Sequence, residues 1–279
     1  MTGFDPIRVT RANRTLRSPE VGTVALLIAG AVLFLLLLSG VVALLQRTTS
    51  IGVVALPDFA AIENVETRKE AFFEFLLPFI HASNDAVLRD RARIERIAAR
   101  VEGGGSVGTR DRRWLEKTAA AYDIEFEGEP AAEALRRLLM RVDIVPADLA
   151  LAQAALESGW GTSRFAREGN NLFGMWCYEP GCGIVPRRRP AGATYEVARY
   201  ATPLGSFEAY IRNLNTNRAY FPMRQIRRQL RENGEEVTGH ALAGGLTRYS
   251  EEREEYVRKV RAMIRANHLD RFNRFEQTS

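Results

Sequence analysis

Residues 21–45, VGTVALLIAGAVLFLLLLSGVVALL, run for twenty-five positions without a charge, and no other feature of the chain narrows its architecture so far. As a helix rising about 1.5 Å per residue the run extends about 37 Å, more than the roughly 30 Å of a bilayer's hydrocarbon core. It is about twice as long as the apolar region of a signal peptide, and no clear Ala-x-Ala cleavage site follows, so it reads as a retained membrane span. Arg8, Arg11, Arg14 and Arg17 precede it, whereas Arg47 alone follows within about twenty residues. That asymmetry places the tail 1–20 in the cytoplasm and everything from Gln46 onward outside. The expected location is the inner (cytoplasmic) membrane, single-pass, with lipid contact through 21–45 and the remainder periplasmic.

The exported part reads as globular, since the 279-residue chain is 46% hydrophobic with 26% charge of mixed sign. Of its 39 basic residues only Lys69, Lys117 and Lys259 are lysines. Arginine binds phosphate and carboxylate through a planar fork, which suits nucleic acid, anionic lipid or an acidic polymer. In RDRARIERIAAR (89–100) and RRQLRENGEE (227–236), however, arginines alternate with acids as on a solvated helix face, and an outward location removes nucleic acid as a partner. His81, His240 and His268 lie far apart and away from Cys177 and Cys182, so no zinc spacing exists and neither metal nor cofactor is expected. The two cysteines enclose the turn-forming YEPG, and in an oxidising compartment they are expected to pair, contributing roughly 2 kcal/mol on the chain-entropy model.

Periodicity divides the exported part into a helical region at 46–102, a flexible linker at 103–112 containing GGGSVG, a main domain at 113–270 and a tail at 271–279. Two helices are expected before the linker, broken near Pro78 or around Ser83 and Asn84. Others are expected at about 114–122, 130–140, 206–217, 222–233, 238–246 and 250–267, the last capped by Ser250 with Glu251 and Glu252 in its first turn. Pro146 suits the first turn of a helix whose buried stripe is Leu149, Ala152, Ala155 and Leu156, and which Gly159 and Gly161 end. Ser163 suits the cap of a short helix to Arg167. ATYEVARY (193–200) alternates as a strand does, with Glu196 on one face, and with CGIVP it forms a small β-hairpin. The fold class is therefore mainly α with a small β-hairpin lobe, an α+β arrangement behind an N-terminal transmembrane helix.

Glu157 falls in the last turn of its helix, at the negative end of the macrodipole, beside Leu156, Trp160 and Phe173. Both the helix end and the apolar neighbours disfavour ionisation, and a carboxyl still protonated near neutral pH is what a glycosidase general acid requires. The glycines flanking Trp160 leave room for a polymer to approach the backbone. Trp160, Phe173, Trp176, Tyr220 and Tyr249 are candidate walls of a sugar cleft, although Phe173, and after it Trp176, reads first as core. Asn170 and Asn171 suit either acetamide binding or a left-handed turn. Arg187, Arg188 and Arg189 lie in a loop able to meet acidic peptide stems or simply to face water.

The stretch ALAQAALESGWGTSRFAREGNNLFGMWC, with its paired motifs E-S-G-W-G-x-S and N-N-L-F-G, resembles the active-site segment of the glucosaminidases of glycoside hydrolase family 73, most closely the Bax family of membrane-anchored proteins. The similarity extends from PDFAAIENVETRKEAFFEFLLPFI through GCGIVP, YEV and NLNTNRAY to YSEEREEYVRKVRAMI, most of the exported part. It implies a lysozyme-like fold and hydrolysis of β-1,4 bonds in peptidoglycan glycan strands by an endo-β-N-acetylglucosaminidase. It also implies Glu157 as proton donor, Glu196 as the second carboxylate with Glu179 and Glu208 as rivals, and Tyr249 as the family's tyrosine, although the segment around it departs from the family pattern. Trp160, Asn171, Trp176 and Tyr220 are the expected sugar contacts. A lytic transglycosylase, or an inactive glycan-binding scaffold of the cell envelope, are the alternatives.

Overall fold

The computed structural model describes residues 56–126 and 132–275. The tail 1–20, expected in the cytoplasm, and the apolar run 21–45, expected to span the membrane, lie outside the described residues, and among those described no helix is long and apolar enough to cross a membrane. Helix α1, Val65–Glu102, begins where Asn64 accepts a hydrogen bond from the Thr67 amide and ends at Gly103. The break expected at Pro78 or Ser83–Asn84 does not occur. Pro78 lies on the exposed side while Phe72, Phe73, Leu76, Phe79 and Ile80 are buried. An interior proline weakens a helix by about 3 kcal/mol, and each buried large apolar side chain returns roughly 1.5–3 kcal/mol, so the apolar stripe carries the helix through. Asn84 is fully buried; it donates to the Val145 carbonyl (2.9 Å) and accepts from the Val145 amide (3.3 Å). The residue that read as a break is a tie between α1 and the segment entering the central helix.

The glycine stretch turns the chain into α2, Thr109–Ala121, which starts inside the expected linker, and Ile94, Ile97, Val107 and Leu115 on both sides of the turn feed one core. After α3, Ala132–Arg141, comes α4, Ala147–Ser158, at the centre. Every residue of α4 from Ala147 to Ala155 is buried, not only the stripe expected, because α1, the later helices and the final 3₁₀ turn Leu269–Phe275 surround it. Three-residue caps aside, the rest of the helical body is α6, Pro203–Thr216, α7, Phe221–Glu232, α8, Gly239–Leu242, and α9, Glu254–Ala266, with the short α5, Arg164–Gly169, capped by Ser163. Ser250 does not cap α9: its hydroxyl accepts from the Glu252 amide in a preceding turn, and the helix starts after Arg253 at φ 52°.

Arg227 also departs from the sequence reading. It is 1% exposed, because the last carbonyls of α3 and the residues after it need donors. Its guanidinium donates to the carbonyls of Met140, Asp143 and Ile144 and to Asn215, while Arg231 makes two 2.6 Å bonds to Asp143. Burial alone pushes the Asp143 carboxyl up, but Arg227, Arg231 and Arg91 outweigh it and hold the group below the usual carboxylate range.

The β-lobe is a three-stranded antiparallel sheet rather than a two-stranded hairpin. Its strands are β1, Trp176–Cys177, β2, Gly183–Ile184, and β3, Glu196–Ala198, in the order β1-β3-β2. Trp176 pairs with Val197 and Cys177 with Glu196, while Gly183 pairs with Ala198. Only 196–198 of the expected strand pairs, and all three residues are buried, since β3 is the middle strand. Cys177 and Cys182 form a disulfide, with Cα atoms 6.2 Å apart, that closes the loop over this strand. The architecture as a whole is mainly helical with a small sheet.

Candidate active site

Glu157 is placed by the way α4 ends. Gly159, Trp160 and Gly161 adopt φ of 57°, 60° and 74° in succession, and Ser158 accepts from the Gly161 amide at 2.8 Å while donating to the Ala154 carbonyl. A left-handed tryptophan is costly. Trp160 is held there by the hydrogen bond its amide donates to the Ala155 carbonyl and by its ring, which meets Phe72 and Phe73 edge-on and lies under Lys69. A Cβ on Gly161 would stand 2.7 Å from the Phe59 ring. The space beside Gly161 is therefore filled from within, not kept for a polymer, and Trp160 packs on α1.

The half-buried Glu157 carboxyl faces a cluster of tyrosines. Tyr256, in the first turn of α9, donates to its Oε1 at 2.7 Å, and Tyr256 accepts from Gln153 Nε2 at 2.8 Å. Tyr249 stacks on Tyr256 at 5.2 Å with planes 7° apart and donates to the Phe173 carbonyl, and Tyr220 lies 5.7 Å from Tyr249. Gly174, at φ 64°, brings the N-N-L-F-G turn against Glu157, where a Cβ would sit 3.5 Å from Oε2. Burial raises the Glu157 carboxyl above its ordinary value, the Tyr256 hydrogen bond opposes this, and Glu252 raises it further. The direction matches the expectation from the helix end, and burial is its main cause.

Glu196 sits in the opposite electrical setting. Its two oxygens accept from the amides of Gly181 (3.1 Å) and Gly183 (2.8 Å), and these bonds hold its carboxyl below the usual range. It is 7% exposed, because the disulfide loop that carries Gly181 folds over it. Cys177, Cys182 and Glu196 place potential ligand atoms within 4.8 Å of one another, but the sulfurs are bonded to each other and offer no thiolate. The carboxylate that acts electrostatically on Glu157 is Glu252.

Of the remaining expected contacts, Tyr220 and Tyr249 join the cluster at Glu157. Asn171 does not: it is 2% exposed, donates to the Met175 and Ala198 carbonyls and accepts from the Met175 amide, so its polar atoms all serve the turn. Trp176, two residues beyond Gly174, is 52% exposed and stacks on Tyr195 (4.2 Å, 19°), so it presents an open aromatic surface on the β-lobe and does not join the tyrosine cluster. Tyr256 and Gln153 escaped the sequence reading. Their signal was a polar residue on an apolar helical stripe: Tyr256 with Val257, Val260 and Ile264, and Gln153 in ALAQAALE one turn before Glu157. A buried polar group in such a place must have a partner.

Over residues 132–269 the chain matches the family described as Glucosaminidase, mannosyl-glycoprotein endo-beta-N-acetylglucosaminidase. It is similar to Protein bax of Escherichia coli (strain K12), with 35% identity over 213 residues, covering 76% of this chain and 74% of that protein. No solved structure matches it.

Proposed function

Because the chain belongs to the Bax family of proteins with a glucosaminidase domain, we propose that it is a peptidoglycan hydrolase, an endo-β-N-acetylglucosaminidase held at the inner membrane by residues 21–45. The observation that carries this reading is Glu157, a carboxyl that burial raises above its ordinary value, set against the Tyr256–Tyr249 stack. Glu157 protonates the departing glycosidic oxygen. Trp176, backed by Tyr195, offers a flat surface to the apolar face of a sugar ring. Tyr249 donates to Phe173 and keeps lone pairs for an acetamide N–H. Each oxygen of Glu196 holds one amide and keeps a second lone pair, so this ionised group can accept a proton from water while it holds the loop.

The amide bonds on Glu196 weaken it as a base and favour a second reading, in which Glu157 works with the substrate's own acetamide, or cyclises the sugar as a lytic transglycosylase does. Digestion of purified sacculi by the full chain separates these. New reducing N-acetylglucosamine ends support the hydrolase, 1,6-anhydro ends establish the transglycosylase, and sacculus binding without release of fragments leaves a scaffold. Membrane orientation has its own check: a reporter active only outside the cytoplasm should work when fused after Ser279 and fail at the N-terminus. The opposite result removes the substrate from reach.

A further inference from the structure

Behind Glu157 runs a hydrogen-bond chain that leads into the core. The Tyr210 hydroxyl donates to Gln153 Oε1 (2.7 Å), Gln153 Nε2 donates to the Tyr256 hydroxyl (2.8 Å), and Tyr256 donates to Glu157 Oε1 (2.7 Å). Tyr210 and Gln153 are fully buried. We propose that Tyr210 and Gln153 are positioning residues that lock the direction of this chain, so that the Tyr256 hydroxyl donates to Glu157 and never turns away from it.

The lock follows from counting hydrogens. A hydroxyl has one hydrogen to give, and a glutamine amide accepts at one end and donates at the other. Among the described residues Gln153 is the hydrogen-bond partner of Tyr210, so the Tyr210 hydrogen requires the amide oxygen on its side. The Gln153 amino group then faces Tyr256 and occupies its oxygen, which leaves the Tyr256 hydrogen for Glu157. With the amide reversed, Tyr256 gives its hydrogen to Gln153, Glu157 loses its donor, and the Tyr210 hydrogen is buried without an acceptor, an arrangement that folded proteins avoid. Tyr210 therefore acts on Glu157 through two intervening groups. A donor stabilises the ionised carboxyl, so the locked chain limits how far burial raises it. The other groups around Glu157 are Tyr249 and Tyr220 in the same cluster and Glu252 in the turn before α9, and none of them supplies a hydrogen bond to it.

Its effect on turnover rests on Glu157 being the general acid; its effect on Glu157 titration does not. The test is a pH titration of the full chain in detergent, carrying ¹³C-labelled glutamate carboxyls, with the Glu157 resonance identified by its loss in Glu157→Gln. Tyr210→Phe keeps the ring stacked on Phe173 (3.9 Å, 10°) and removes only the hydroxyl. The Glu157 midpoint should rise by about half to one pH unit in Tyr210→Phe and by about one unit or more in Tyr256→Phe. The double variant should rise no further than Tyr256→Phe alone, since the lock works only through Tyr256. Gln153→Glu, whose carboxylate accepts from both tyrosines, raises the midpoint by charge repulsion as well, so it stands in as a pair if Tyr210→Phe does not fold. Its shift should be larger with Tyr256 present than in a Tyr256→Phe background, and equal shifts in the two backgrounds overturn the proposal. A lowered melting temperature with an unmoved Glu157 midpoint, or additive shifts in the double variant, overturns the proposal. If Glu157→Gln retains turnover, the general-acid reading fails while the titration still decides the lock.

Discussion

Glu157 and Glu196 are the same residue in two regions made differently, and their charges diverge for that reason. In the helical body, α4 has spent its amides on its own helix, so the carboxyl at its end finds a tyrosine hydroxyl and apolar surface, and burial raises it. In the β-lobe the strands are two or three residues long and the disulfide loop leaves amides unpaired by any ladder. Gly181 and Gly183 turn theirs to Glu196 and hold it ionised. Regular structure consumes backbone donors and irregular structure supplies them, so the acid belongs in the body and the fixed negative charge in the lobe.

The largest test of this contrast is Glu157→Gln. Turnover on sacculi should fall about a hundredfold or more, the usual range for a general acid, and retained turnover would remove the role assigned to the body. Next comes the lobe: replacing Cys177 and Cys182 with serine should lower stability by about 2 kcal/mol on the loop-entropy model, read by denaturant unfolding, with early proteolysis confined to the loop around 178–195. Uniform cleavage across the body would contradict the separation. A smaller loss of stability is expected for Glu196→Gln, whose amide keeps one acceptor oxygen and turns a donor NH2 toward the other glycine amide, Gly181 or Gly183. Because the folded Glu196 carboxyl is depressed, its contribution is present near neutral pH and fades as pH falls through the folded value, so wild type and variant should converge in melting temperature in acid. If Glu196→Gln loses turnover as severely as Glu157→Gln while its fold persists, Glu196 works on water as well as on the loop. The smallest effect has the opposite sign. Glu157 is raised on folding, so its charge destabilises the fold above its folded value, and Glu157→Gln should melt slightly higher than wild type at neutral pH. That gain should vanish near about pH 4, where the unfolded carboxyl also holds its proton.

Much of the fold is legible in the sequence. Pro146 and Gly159 bracket α4, Ser163 caps α5, and the placing of Glu157 in a last helical turn follows from local rules that the backbone obeys. What misled were positions where a distant partner overrides the local signal. Pro78 breaks an isolated helix but not one with a continuous buried stripe, Arg227 looks solvated until α3 presents its carbonyls, and Glu196 alternates like a surface residue while a disulfide loop covers it. Tyr256 and Gln153 were the harder omissions, because a polar residue on an apolar stripe announces a partner without naming it.

By itself the sequence determined the helical periodicity, the turns, the charge-free run at 21–45 and the motif that holds Glu157, since each depends on neighbours within a few positions. The tertiary structure alone decided which groups set the protonation of the two glutamates, even where the direction for Glu157 was legible from its helix end. That depends on which donors and how much water lie within about 3 Å of each oxygen, and residues as far apart as Glu157 and Tyr256, or Gln153 and Tyr210, meet only when the whole chain has packed around α4.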